Sequence, residues 1–156
     1  MDVALYQPDI AGNVGTILRM SACFGVACDI IHPCGFAFSR RSLKRSGMDY
    51  LERAEIGEHA DWAAFEAAAI AQKCRIVLLS SKASTALPKV SFEEGDIILM
   101  GSESAGVPQH VHERANLRVH IPMRSGFRSL NVAVAAGIAL AEGLRQTDQF
   151  PNGANK

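Results

Sequence analysis

Two uninterrupted apolar runs, Ile76-Val77-Leu78-Leu79 and Ile97-Ile98-Leu99-Met100, constrain what this chain can fold into. Successive side chains of a strand point to opposite faces, so such a run is hydrophobic on both faces at once. It is stable only where both faces are covered, as in a parallel sheet between helical layers. Val3 to Tyr6, Val26 to Ile31 and Leu117 to Ile121 read as further strands. Between them the apolar period becomes helical. Val14, Ile17, Leu18, Ser21 and Ala22 share one face, with Asn13 placed as N-cap and Gly25 as C-cap. Asp61 caps a predicted helix running through Trp62 and Phe65 to Gln72. Arg40 to Ser46 reads as a short basic helix closed by Gly47, and Ser129 to Gln146 as the longest helix. Strands alternating with helices predict an α/β fold, with a mainly parallel sheet and helices on both faces.

The 156 residues suffice for one domain, expected over 1–146, with a polar tail at 147–156 expected to be disordered. Lys plus Arg and Asp plus Glu are 16 each, so a globally basic nucleic-acid coat is excluded while a local basic patch is not. The four cysteines form no C-x-x-C pair and read as reduced thiols of a cytoplasmic protein. No apolar stretch approaches a membrane span, and Met1 to Leu5 has no signal-peptide character, so no membrane association is expected. His110 and His112 are the one close histidine pair; two residues apart on a helix they diverge, and no metal is expected.

In open α/β sheets ligands bind beyond the carboxyl ends of the strands. Three loops there are informative: Ser80 to Lys82, Gly101 to Pro108, and Pro122 to Asn131. Gly101-Ser102-Glu103-Ser104-Ala105-Gly106-Val107-Pro108 sets an acidic residue between glycines that let backbone approach a ligand closely, with Pro108 placed to open a helix. It is neither a P-loop nor a dinucleotide fingerprint. Ser129 or Asn131 can cap the last helix, which is apolar almost all round and must be buried on several sides, by the core or by a partner subunit. Near the start, Asn13-x-Gly15-x-x-x-Arg19 puts an arginine fork where it either grips an anionic oxygen or is simply solvated. Arg40, Arg41, Lys44 and Arg45 form a cationic run without interleaved acids, suited to a solvated face or to an RNA backbone.

These elements, in this order, resemble the three motifs of the SPOUT methyltransferases: N-x-G-x-x-x-R, then G-S-E-S-A-G-V-P, then I-P-M and S-L-N before a long last helix. Leu5-Tyr6-Gln7-Pro8, His32-Pro33-Cys34-Gly35-Phe36 and Leu43 to Tyr50 extend the likeness to the minimal branch that methylates the ribose of the tRNA wobble pyrimidine. The resemblance implies a C-terminal trefoil knot, a homodimer and S-adenosylmethionine as cofactor. It places cofactor contacts at Leu79, Ser80, Gly101, Ile121, Met123, Ser129 and Leu130, and the catalytic set at Arg19, Asn13, Glu103 and Asn131. It gives tRNA binding to Arg40, Arg41, Lys44, Arg45, Arg124 and Arg128. Ala105 and Ala141 depart from the relatives, which often carry Arg and an aromatic there. The alternatives are a 2′-O-methyltransferase acting on another tRNA position or on rRNA, and a non-catalytic adenine-nucleotide-binding module.

Overall fold

A computed structural model describes residues 1–39 and 52–152. Seven strands form one sheet: β1 (Asp2–Tyr6), β2 (Cys28–Ile31), β3 (Ile56–His59), β4 (Ile76–Leu79), β5 (Thr85–Ala86), β6 (Ile97–Met100) and β7 (Leu117–His120). Their order is β3-β2-β1-β6-β4-β7-β5, and every pairing is parallel. The helices are α1 (Ala11–Phe24), α2 (Trp62–Ala71), α3 (Gln109–Arg114) and α4 (Val132–Gln146), and a 3-10 turn spans Leu87–Lys89.

The two-faced strands divide the core as their alternation dictates. Val3, Leu5, Ile98 and Met100 face one cluster with Val14, Ile17 and Leu18 of α1 and Ala136, Leu140 and Leu144 of α4. Ala4, Tyr6, Leu78 and Leu99 face the other, with Trp62 and Phe65 of α2 and Val111 ahead of Ala115 on the α3 side. Helices therefore cover both faces, as the apolar runs require. Among the described residues one charged group is fully buried, at the entry of β6. The Asp96 carboxylate accepts from Arg75 Nε at 2.7 Å, Arg75 Nη2 at 2.8 Å and the Glu93 N–H at 2.9 Å, clamping the entries of β4 and β6 together.

Several local expectations change. Helix α1 begins at Ala11 with Ile10 at the N-cap position, so Asn13 lies inside the first turn and its side chain is turned to other partners. Gly25 does close α1, at φ +68°, its N–H reaching the Ser21 carbonyl. Asp61 caps α2 through the Ala64 N–H. Pro108 occupies the N-cap position of α3 rather than its first turn. Helix α4 starts at Val132, not Ser129, because Asn131 Oδ1 accepts from the Ala133 and Val134 N–H groups. Strands β3 and β5 were not expected. The tail expected to be disordered makes contacts as far as Phe150, whose ring meets Phe24 edge-on, and Gln149 accepts from the Met1 ammonium. The basic run Arg40, Arg41, Lys44 and Arg45 lies outside the described residues.

Candidate active site

Strands β1, β6, β4 and β7 are neighbours, so the loops leaving their carboxyl ends converge on one side of the sheet. They enclose a cavity of about 820 Å³, the size of a cofactor site. Its apolar walls come from Leu78, Leu79, Ile121, Met123 and Leu130, and its polar groups from Ser80, Glu103, Ser129 and the backbone of the glycine loop.

The glycine loop is shaped by its own backbone. Ser102 N–H donates to the Gly106 carbonyl at 3.0 Å, and Gly106 N–H returns to the Ser102 carbonyl at 2.9 Å. Gly106 sits at φ +69°, a left-handed conformation that favours glycine. A Cβ on Gly101 would lie 2.7 Å from the Gly106 carbonyl carbon, so a side chain there has no room.

Glu103, at the tip of this loop, is tied to both other motifs. Asn13 Nδ2 donates to Glu103 Oε1 at 2.8 Å, and Asn131 Nδ2 donates to Asn13 Oδ1 at 3.0 Å. The Asn131 side chain also caps α4, so one amide fixes the helix and its place in the chain of bonds. The second Glu103 oxygen, Oε2, accepts from the Asp9 N–H at 2.8 Å. Both oxygens of this carboxylate are therefore occupied as acceptors. That makes Glu103 an anchor whose charge orients two amides, rather than an idle base.

The Asp9 carboxylate accepts from the Ser104 N–H at 3.0 Å and from Ser104 Oγ at 2.6 Å. These bonds hold the Asp9 carboxyl below its ordinary range. On the other flank, burial and the nearby Glu58 carboxylate push the Cys34 thiol up to about 11, so it stays protonated at neutral pH and is no nucleophile.

The structure brings together Leu79, Ser80, Gly101, Ile121, Met123, Ser129 and Leu130, all of which line the cavity. Asn13, Glu103, Asn131 and Arg128 line it as well. Arg19 does not: it lies on the exposed side of α1, beyond the set that lines the cavity. Arg124 is exposed in the same loop as Arg128 without lining the cavity. Lys82, Gln109, His112 and His120 also line the cavity, and none of them was given a site role by the sequence. For Lys82 a signal existed, since it immediately follows the Ser80-Ser81 end of a buried strand.

Within the loop from 121 to 131, the Phe127 N–H reaches the Arg124 carbonyl, while among the described residues the N–H groups of Met123, Ser129 and Leu130 have no backbone partner. Free main-chain groups beside apolar walls suit a heteroaromatic ligand with hydrogen-bonding edges. That donor set fits the adenine of S-adenosylmethionine, and the apolar walls fit the rest of its ring surface.

The comparisons agree with this geometry. A model of the SpoU rRNA Methylase family matches residues 1–141. A protein of Beijerinckia indica subsp. indica, named tRNA (cytidine(34)-2'-O)-methyltransferase, is 53% identical over 144 residues, which is 92% of this chain and 90% of the relative. A solved structure described as giving insight into the 2-OH methylation of C/U34 on tRNA superposes with a TM-score of 0.85 at 39% identity, covering 93% of this chain and 94% of the other. An AdoMet-bound rRNA methyltransferase from Sinorhizobium meliloti is similar over 92% of this chain and 55% of its own, with a TM-score of 0.78 and 27% identity. With a family match over nine-tenths of its length and the three motif loops gathered around one cavity, this chain belongs to the SpoU rRNA methylase family.

Proposed function

We propose that this protein transfers a methyl group from S-adenosylmethionine to the ribose 2′-oxygen of the wobble pyrimidine in a tRNA anticodon loop. The observation that carries the reading is the bond chain from Glu103 through Asn13 to Asn131 along one wall of the cavity. It joins the three motifs at one place. The relative from Beijerinckia indica, named for this reaction at cytidine 34, supports the substrate.

S-adenosylmethionine, when bound, supplies a methyl group already activated on a sulfonium. The protein's work is then alignment and charge placement. Leu79, Ile121, Met123 and Leu130 would enclose the cofactor's apolar surface and keep water from it. Ser80, Gly101 and Ser129 would offer backbone and hydroxyl groups to its polar edges. Glu103, fixed from two sides, holds Asn13 in one orientation, and Asn13 holds Asn131. Arg128 is placed to meet the phosphate or ribose of the target nucleotide at the cavity mouth. A guanidinium is a poor general base, so Arg19 would serve as an oxyanion and phosphate partner. Arg124, and the run Arg40, Arg41, Lys44 and Arg45, would grip the anticodon stem electrostatically.

Two features support a homodimer. Val134 and Ile138, one turn apart on α4, are 52% and 40% exposed. Arg19 projects from the outer side of α1, which packs on α4. A second copy docked over the α1–α4 surface would cover the apolar side chains and bring one protomer's Arg19 toward its partner's cavity. A knotted C-terminal segment is what the likeness to the SPOUT motifs implies. After β7 the chain lines the cavity beside the loops after β4 and β6 and returns as α4 onto α1 and β6. We take residues 1–146 as one methyltransferase domain acting in the cytoplasm, where its tRNA substrate resides.

The test is methyl transfer from labelled S-adenosylmethionine into total bacterial tRNA, with the modified nucleotide mapped. Label at the 2′-oxygen of a wobble pyrimidine is expected. Label at another tRNA position, or in rRNA, would overturn the substrate while keeping the chemistry. Cofactor binding without transfer to any RNA would favour a binding module.

A further inference from the structure

The turn after β1 is held in a conformation that needs an explanation. Gln7 has φ +44°, a left-handed value that a residue with a side chain adopts only when its surroundings impose it. Gln7 N–H is tied to the Ile31 carbonyl at 2.9 Å, and the Pro8 carbonyl accepts from the Gly35 N–H at 2.9 Å. A Cβ on Gly35 would stand 3.0 Å from Asp9 Oδ1 and 3.1 Å from Asp9 Cα, so that loop is packed directly against Asp9. The turn is thereby pressed toward the glycine loop.

Asp9 then meets two successive residues of that loop with opposite polarity. Its N–H donates to Glu103 Oε2 at 2.8 Å, and its Oδ2 accepts both the N–H and the hydroxyl of Ser104, at 3.0 and 2.6 Å. Such a paired arrangement fixes a loop in register as well as in distance, because neither bond is made if the loop slides by one residue. The Asp9 side chain does not line the cavity, whereas Glu103 does. We propose that Asp9 is a positioning residue for methyl transfer, setting the orientation of Glu103, and through it of Asn13 and Asn131, by clamping the Glu103–Ser104 peptide. This rests on the methyltransferase reading above.

The role separates from general stability. Ser104 is exposed and Asp9 half-buried, and the bond between their side chains lies at the surface, so losing it leaves no buried polar group stranded, and the fold should tolerate the change. The geometry of the reacting groups should not, since a small misplacement in an alignment-driven reaction lowers the rate strongly. The experiment compares Asp9→Ala, Asp9→Asn and Ser104→Ala with the wild type. The readouts are kcat and KM for tRNA, S-adenosylmethionine Kd by calorimetry, and Tm. Asp9→Ala should lower kcat by about tenfold or more, with cofactor Kd within about threefold and Tm within about 3 °C. Asp9→Asn, which keeps an acceptor for Ser104, should recover most of that rate, and adding Ser104→Ala to Asp9→Ala should cost no further rate. Wild-type kcat in Asp9→Ala overturns the proposal, as does a loss shared equally by Kd and Tm. A wild type that transfers no methyl overturns the underlying reading, and this inference with it.

Discussion

Replacing Gly101 with alanine should damage the cofactor site more than the fold. The new Cβ would lie 2.7 Å from the Gly106 carbonyl carbon, 2.8 Å from Gly106 Cα and 3.0 Å from its oxygen. Carbon atoms in comfortable contact are about 3.5–4.0 Å apart, so one strand of the loop must retreat by roughly 1 Å. All three neighbours are backbone, and no rotamer change can relieve them. Gly106 is further pinned by its two bonds to Ser102. Overpacking of this kind typically costs about 1–3 kcal/mol, and each backbone bond put at risk adds about 0.5–1.5 kcal/mol. If the loop yields locally, the loss goes into binding, and the Kd for S-adenosylmethionine should rise about 10- to 100-fold. If it resists, the loss appears as a Tm lower by about 4–10 °C. Calorimetric titration with S-adenosylmethionine and S-adenosylhomocysteine, alongside thermal unfolding, reads both channels. Wild-type Kd together with wild-type Tm would refute the packing argument.

Three further outcomes follow from other parts of the molecule. Asp96→Asn removes the charge that answers Arg75 across the entries of β4 and β6, and denaturant unfolding should show a loss of about 2–4 kcal/mol; a loss below 1 kcal/mol would contradict the clamp. Hydrogen bonds from Arg145 and Gln146 draw the Glu142 carboxyl down to about 2. A depressed folded-state value gives stability that is present above the ordinary carboxylate range and lost as pH falls toward about 2, so the Tm advantage of wild type over Glu142→Gln should be full near pH 6 and vanish near pH 2; an advantage that persists there would refute it. Ile138→Glu places a charge on the exposed apolar side of α4; with the proposed dimer, light scattering should find a dimer for the wild type and a monomer for the variant, with a cooperative unfolding transition retained.

The central strands were legible in the sequence because continuous apolar runs mark strands covered on both faces. The seven residues expected around the cofactor rested on the likeness to the SPOUT motifs, and all of them line the cavity. What escaped is weak or non-local. Strand β3 reads Ile-Gly-Glu-His and lies at the sheet edge, where one flank has no neighbour to demand apolar residues. Strand β5 is two residues long, and only its pairing with β7 reveals it. Asn13 has the composition of a helix cap, but two partners 90 and 118 residues away compete for its amide and win. Asp9, following a proline, has the composition of a turn, and its bonds to Glu103 and Ser104 escape a local reading because they join residues more than ninety positions apart. Spacing left Arg19 open between an anion partner and a solvated side chain, and the helix carries it six residues onward from Asn13, outside the residues that line the cavity.

The central claim is that one cavity, walled by the loops after β1, β6, β4 and β7, binds the methyl donor beside the Glu103–Asn13–Asn131 chain. A crystal structure of the protein soaked with S-adenosylmethionine tests it most directly. The account predicts the ligand enclosed by Leu79, Gly101, Ile121 and Leu130, its adenine edge on main-chain groups of the Met123–Leu130 loop, and its sulfonium turned toward Asn13 and Asn131. A cofactor bound elsewhere on the chain, or in this cavity with the sulfonium turned away from those two amides, would contradict it.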